Sequence, residues 1–285
     1  MCATAVVMFP SLNATMKLLA SDYGVVQVIF VRSLGHLVLM LVMLMPGQGL
    51  RIFYTRRPGM QLTRSALQAV STAFYVVALT FIPLTTATTI AFTAPLLVVA
   101  LSGPMLGEKI GIRRWSAVLV GLIGALVIIR PGGALMHWAD FLVLGSSLCY
   151  AAYQLLTRRI ARYDSSRTTG VYTIVVMLVI STAAVPFFWK TPDNLADWGL
   201  FAVLGIAGGL GHFFMVKAYQ LGPASVVGPF DYGQLIGAAF LGYLMFGEFP
   251  DQWTWVGAAL LIGSGLYVAR REAKLAATAQ ATIAR

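Results

Sequence analysis

The stretch Ala78-Leu-Thr-Phe-Ile-Pro-Leu-Thr-Thr-Ala-Thr88, running on through Gly107-Glu108 and Trp115 to Ala117-Val-Leu-Val-Gly-Leu-Ile-Gly-Ala-Leu-Val-Ile-Ile-Arg130, decides how this chain folds. From Ala117 to Ile129 it is apolar on every side, which suits a helix surrounded by lipid or protein and not the strict alternation of a barrel strand. Shifted by 140 residues, residues 78–130 overlay 218–270 without a gap. Identical positions include Pro83/Pro223, Leu101/Leu241, Met105/Met245, Gly107/Gly247, Glu108/Glu248, Trp115/Trp255 and Arg130/Arg270. A looser match joins Ala14-Thr-Met-Lys-Leu-Leu19 to Ala151-Ala-Tyr-Gln-Leu-Leu156. Apolar helices can align by composition alone, but a shared Gly-Glu with Trp seven residues on is less easily had by chance.

The composition puts this repeat in a membrane. Of 285 residues, 59% are hydrophobic and 11% charged, against about 45–50% and 25% in a soluble domain. A mean hydropathy of +0.81 leaves too little polar surface for a water-soluble globule. Disorder, a collagen-like fibre, a disulfide scaffold and a soluble nucleic-acid binder are excluded, and no nucleic-acid partner is expected. The net charge of +10 reads instead as loop charge facing anionic headgroups. Cys2 and Cys149, far apart in apolar surroundings, give neither a metal spacing nor a disulfide framework.

A hydrocarbon core of about 30 Å needs about 20 apolar helical residues. Ten such stretches are expected, near 1–20, 23–45, 66–82, 85–106, 114–130, 139–158, 168–189, 197–217, 224–246 and 252–270. Pro131-Gly132-Gly133 and Pro192-Asp193-Asn194 punctuate them as turns. Basic residues fall on alternate loops. Arg51, Arg56, Arg57, Arg64, Lys109, Arg113, Arg114, Arg158, Arg159, Arg162, Arg167, Lys217, Arg270, Arg271, Lys274 and Arg285 lie on one side, 16 against Arg130 and Lys190 on the other. The second side carries Asp22, Asp193, Asp197, Glu248 and Asp251. The positive-inside rule then puts both termini in the cytoplasm of a bacterial-type inner membrane. The first span has no basic residue before Lys17 and contains Pro10, which argues against a secretory signal. Either the native start lies upstream of Met1 or later loops fix the topology.

The expected fold is all-α and integral to the membrane, with ten helices as two inverted five-helix repeats: residues 1–130, residues 139–270, and a cytoplasmic tail at 271–285. Five is odd, so equivalent segments point in opposite directions. The loop charges agree, since Glu108-Lys-Ile-Gly-Ile-Arg-Arg114 is basic while Glu248-Phe-Pro-Asp-Gln252 is acidic. Inverted halves give two related packings, the architecture of alternating access.

On these residues the chain resembles the drug/metabolite transporter superfamily, in its ten-helix branch of two EamA-type repeats. The motifs are Ala78 to Thr88, Pro95, Gly107-Glu108, Gly121 and Gly124, with a second copy at Ala218-Tyr-Gln-Leu-Gly-Pro-Ala-Ser-Val-Val227 and Gly247-Glu248. Ser11-Leu-Asn-Ala-Thr-Met-Lys17 and Gln27-Val-Ile-Phe-Val-Arg32 are similar to the sub-branch of riboflavin and S-adenosylmethionine uptake proteins, although Ala14 stands where that sub-branch often has Asp. The resemblance implies a central cavity lined by helices 1, 3, 4, 6, 8 and 9.

Polar side chains inside the spans are the candidate site, because each ionisable group at mid-bilayer costs at least about 2.5–3.5 kcal/mol. Arg32 is the deepest cation, roughly 14 Å from the outer end of helix 2. It reads either as a bundle clamp or as a substrate or counter-ion site. His36 follows one turn on. Lys17 either snorkels to the interface or faces the cavity. Asp231 is the carboxylate deepest in a span, at a depth similar to His212. The two form either a static pair or a carrier of a coupling proton. The glycines Gly205-xxx-Gly209 and Gly233-xxx-Gly237 are expected to let helices 8 and 9 pack closely. Tyr75, Phe92, Tyr150, Tyr153, Phe213 and Tyr232 could stack on a flat aromatic substrate, with Asn13, Gln154 and Gln234 supplying hydrogen bonds.

No catalytic set emerges. An intramembrane aspartyl protease needs a second deep Asp, and Asp140 lies at a helix mouth. Ile262-Gly-Ser-Gly265 lacks a glycine of the rhomboid-type nucleophile motif, and His36, His137 and His212 are too scattered for a metal. With Gly-x-x-x-x-Gly-Lys-[Ser/Thr] absent, neither ATP nor a cofactor is expected. The expected function is secondary transport of a small organic metabolite, riboflavin first. An amino-acid or S-adenosylmethionine-type substrate is the alternative, and a channel or non-transporting scaffold the rival class.

Overall fold

In the computed structural model, the description covers residues 2–108, 110–133, 136–221 and 230–283; for residues 2–5, 43–48, 50–51, 212–213, 215–221 and 272–283 it extends to the backbone alone. The described residues form helices α1 (Cys2–Tyr23), α2 (Val25–Gln48), α3 (Pro58–Leu79), α4 (Leu84–Ala91), α5 (Ala94–Leu106), α6 (Ile112–Ile129), α7 (Trp138–Ile160), α8 (Ser166–Ala184), α9 (Leu195–Leu221), α10 (Gly233–Phe246) and α11 (Gln252–Ile283). Short 3-10 turns follow α2 and α8. Among the described residues, six helical stretches are long and apolar enough to cross a membrane: Val25–Val42, Pro58–Leu79, Leu84–Leu106, Ile112–Ile129, Trp138–Ile160 and Ser166–Phe187.

Local chemistry sets the helix ends. Pro58 opens α3, where its missing N–H is no loss. Pro83 precedes α4 with extended backbone. The repeated Gly-Glu is a helix stop: Gly107 and Gly247 take left-handed backbone at φ 73° and 67°. The following amides close back, Glu108 N–H onto Ser102 C=O at 3.4 Å and Glu248 N–H onto Gly242 C=O at 3.0 Å. His137 and Asp140 form a reciprocal cap at the start of α7.

The helices pack in matched sets. α1 lies on α9 and α10, while α7 lies on α3, α4 and α5; α2 lies on α8 and α9, while α8 lies on α2 and α3. α6 and α11 pack on each other with reciprocal close approaches, Gly121 against Ser264 and Gly124 against Leu261.

Two expectations change, and one gains its partners. The third helix begins at Pro58 and not near residue 66, so Arg64 is not a loop residue: it is fully buried inside α3. A proline-led start carries the helix through Gln61, Arg64, Ser65, Gln68 and Thr72, a polar face at helical spacing that packs inward. The glycines of α9 and α10 do not join those two helices. Gly205 meets Gly35 and Gly209 meets Leu39, both on α2, whereas Gly233 meets Val6 and Gly237 meets Pro10, both on α1. Each pair of bare faces is spent on a neighbour from the first half. Finally, α11 does not stop near Arg270 but continues as helix to Ile283.

Candidate substrate site

The central side chains fall into two groups. In the first, α1 presents Asn13 to α3, and its amide donates to the Tyr75 hydroxyl at 3.2 Å. Tyr75 lies 3.3 Å from the Thr88 hydroxyl of α4. Thr88 already donates to the Leu84 carbonyl at 2.8 Å, so Tyr75 donates to Thr88 and accepts from Asn13. Arg32, on the inward face of α2, adds a guanidinium near the same phenol. Its Nη1 points at the Met16 thioether at 3.7 Å, and its stem lies across the bare face of Gly208 on α9.

The second group is aromatic. Tyr150 and Tyr153 on α7 stack with centroids 5.6 Å apart, and Gln154 on the same helix is half-buried. The Arg64 guanidinium lies 4.8 Å over the Tyr153 ring and is held by Thr157 at 3.0 Å, the Thr169 carbonyl at 2.5 Å and Thr173. The Asp231 charge acts on both Tyr150 and Tyr232. Tyr232, just before α10, tilts against Phe92 at the α4/α5 break, centroids 5.0 Å apart. Gln234 is half-buried on α10. The side chains of His212 and Phe213 lie outside the described residues.

Lys17 is committed elsewhere. Its ammonium pairs with Glu248 at 2.5 Å, donates to the Ile82 carbonyl at 2.9 Å and sits 5.0 Å over the Phe246 ring. The other Glu248 oxygen accepts from the Leu84 N–H at 3.1 Å, so one carboxylate ties α1 to the start of α4. Further ion pairs join Glu108 to Arg158 at 2.9 Å at the end of α7 and Arg130 to Asp251. Sequence reasoning missed Arg64 and these ion pairs. The polar periodicity from Gln61 to Thr72 is the signal that would have found Arg64.

The described residues thus form one hydrogen-bonding group around Asn13, Tyr75 and Thr88 and one aromatic group around Tyr150, Tyr153, Phe92 and Tyr232. Comparison with known proteins agrees on transport. The model of the EamA-like transporter family matches residues 1–130 and again 137–270. A riboflavin transporter of Vibrio cholerae is 30% identical over 221 residues, 77% of this chain and 74% of that protein. An S-adenosylmethionine uptake transporter of Rickettsia felis is 30% identical over 77% of this chain and 74% of that protein. A pseudopaline exporter of Pseudomonas aeruginosa is 28% identical over 92% of each. A solved crystal structure shares the fold, with a TM-score of 0.61 at 20% identity over 94% of this chain and 98% of that one. This chain, an all-helical membrane protein, belongs to the EamA-like transporter family.

Proposed function

We propose that this chain is a secondary carrier that moves riboflavin across a bacterial-type inner membrane by alternating access of two inverted five-helix halves, residues 1–130 and 139–270. The observation that carries the reading is the contact of Phe92 with Tyr232, residues equivalent under the 140-residue repeat, each at a helix break beside the aromatic group. A contact between equivalent residues is what a two-fold axis in the membrane plane produces. The matched helix sets and the reciprocal Gly121–Ser264 and Gly124–Leu261 approaches support the same axis. So do two of the ion pairs. Glu248 reaches the first helix of the opposite half at Lys17, and its equivalent Glu108 reaches α7 at Arg158, one turn past the residue aligned with Lys17.

Stacked tyrosines favour a flat ring, and relatives that carry riboflavin by name support the choice. The alternative is an S-adenosylmethionine-type substrate, favoured by Asp231, whose carboxylate suits a cationic centre, and by the relatives so named. Energy comes from a proton gradient or from the substrate gradient. Both termini face the cytoplasm. The test is expression in a riboflavin-auxotrophic bacterium lacking flavin uptake. Growth at low external riboflavin is the expected result, and growth no better than empty vector overturns it.

A further inference from the structure

A guanidinium inside an apolar bundle needs a reason to be there. Arg64 has one: two hydroxyls, a carbonyl and a tyrosine face. Arg32 does not. Among the described residues its hydrogen-bond acceptor is the Met16 thioether at 3.7 Å, a weak partner for a group with five N–H donors. No carboxylate among the described residues pairs with it within 4 Å. Its exposure adds a second observation. Leu12 and Met16 beside it are each 1% exposed, and Val28 one turn away on α2 is fully buried, yet Arg32 keeps accessible surface. The lipid-facing side of α2 is instead marked by Leu34, Val38 and Val42. The accessible surface of Arg32 therefore belongs to space inside the bundle. Around that space, Asn13 and Tyr75 also offer polar hydrogens or oxygens, and Gly208 supplies no side chain to fill it.

We propose that Arg32 is the anchor of the transported molecule: its guanidinium takes an acceptor-rich edge, paired carbonyls or a carboxylate, while the tyrosines of α7 stack on the ring. This deepens the carrier reading above and rests on it. A clamp would have its donors occupied by protein; an anchor keeps them for a ligand. Both candidate substrates carry a suitable edge, so the assignment names the shared chemistry. The cation also disfavours molecules whose only charge is positive.

The experiment uses the purified full chain in proteoliposomes, with riboflavin and S-adenosylmethionine as probes, and compares wild type with Arg32→Met and Arg32→Lys. Met retains length and apolar packing without charge. For the probe that wild type transports, Arg32→Met should raise KM roughly 10- to 100-fold, the loss expected for hydrogen bonds from a charged donor. Its yield and melting temperature should match wild type, since no protein partner is stranded. Arg32→Lys should recover part of the affinity. An unchanged KM in Arg32→Met overturns the anchor and leaves the carrier reading standing. Collapse of yield in Arg32→Met together with a normal KM in Arg32→Lys identifies a clamp and also overturns it. Wild type that transports neither probe overturns both readings.

Discussion

The rings of Phe92 and Tyr232 touch at 5.0 Å across 140 positions of sequence, the same offset that lays one half of the chain on the other. Tyr232 is pinned from behind by α11, where its hydroxyl fills the space that a Cβ on Gly265 would occupy. Gly265→Ala should therefore push the ring away from Phe92 and lower uptake about tenfold, because a small misplacement at a binding centre is costly. The ring carbon Cζ would sit 3.1 Å from that Cβ, so removing the hydroxyl leaves a contact a slight shift relieves. Gly265→Ala with Tyr232→Phe should recover most of the lost uptake. Equal uptake in the single mutant and wild type, at equal protein level, would rule this packing out.

Lys17 and Glu248 are joined as a three-way tie, not an isolated pair. Lys17 also serves the Ile82 carbonyl, and Glu248 the Leu84 N–H. Lys17→Met leaves a half-buried carboxylate with one donor and should cost about 1–3 kcal/mol in stability. Exchanging the charges should fail to restore it, because a Glu at position 17 meets the Ile82 carbonyl and a Lys at 248 meets the Leu84 N–H. Arg158, 65% exposed on its side chain, contrasts with this: exchanging Glu108 and Arg158 should leave stability within about 1 kcal/mol. Thermal melts of the three variants in detergent measure both.

Much of the fold was legible because lipid imposes a simple rule on sequence: apolar for about 20 residues, then charge or a turn. The Gly-Glu motif was legible as a repeat marker, though its role as a left-handed helix stop needed backbone angles. What escaped was pairing. Glu248 reads as an acidic turn residue, and nothing local says that it reaches Lys17, 231 positions away. Arg64 was misread because charge at a span edge usually means loop. Here hydroxyls on α7 and α8, themselves in apolar helices, make its burial affordable. The glycines of α9 and α10 were recognised as close-packing faces but without their neighbours, since spacing gives a face and not its partner.

Asp164, in the turn between α7 and α8, is a pH-sensitive fastening. Burial alone would raise its pKa, but hydrogen bonds from the Thr55 hydroxyl, the Arg56 N–H at 3.0 Å and Gln61 at 2.9 Å outweigh burial and hold it below the usual carboxylate range. A lowered folded-state value means that its stabilisation is complete above the unfolded value, about 3.9, and is lost as pH falls through the folded one. The melting temperature should be flat between about pH 7 and 5 and decline below about pH 4. Asp164→Asn should melt lower at neutral pH and lose part of the acid decline; an unchanged acid slope would remove Asp164 from the account.

Orientation is testable by labelling in a background with Cys2 and Cys149 replaced by Ser. Cysteines at the exposed positions Arg162 and Arg167 should resist an impermeant thiol reagent added outside, while those at Asp22 and Asp193 should react. The opposite pattern would place both termini outside.

Asp231 tests the coupling. Its charge acts on both Tyr150 and Tyr232. Asn retains the shape and much of the hydrogen bonding of Asp but cannot change charge. If Asp231 carries the coupling proton, neutralisation is what allows it to be occluded without the cost of burying an anion, so alternation needs its titration. Asp231→Asn should then fold normally and exchange substrate across the membrane at a rate close to wild type, yet fail to accumulate it against a gradient. A static role predicts something else: losing the charge strands whatever cation it faces, and yield falls. Direct contact with substrate predicts a third pattern, in which exchange and accumulation weaken together. Protein yield, counterflow exchange and proton-driven uptake, measured on the same preparation, separate the three. Uphill uptake at the wild-type rate would remove the proton from Asp231 altogether.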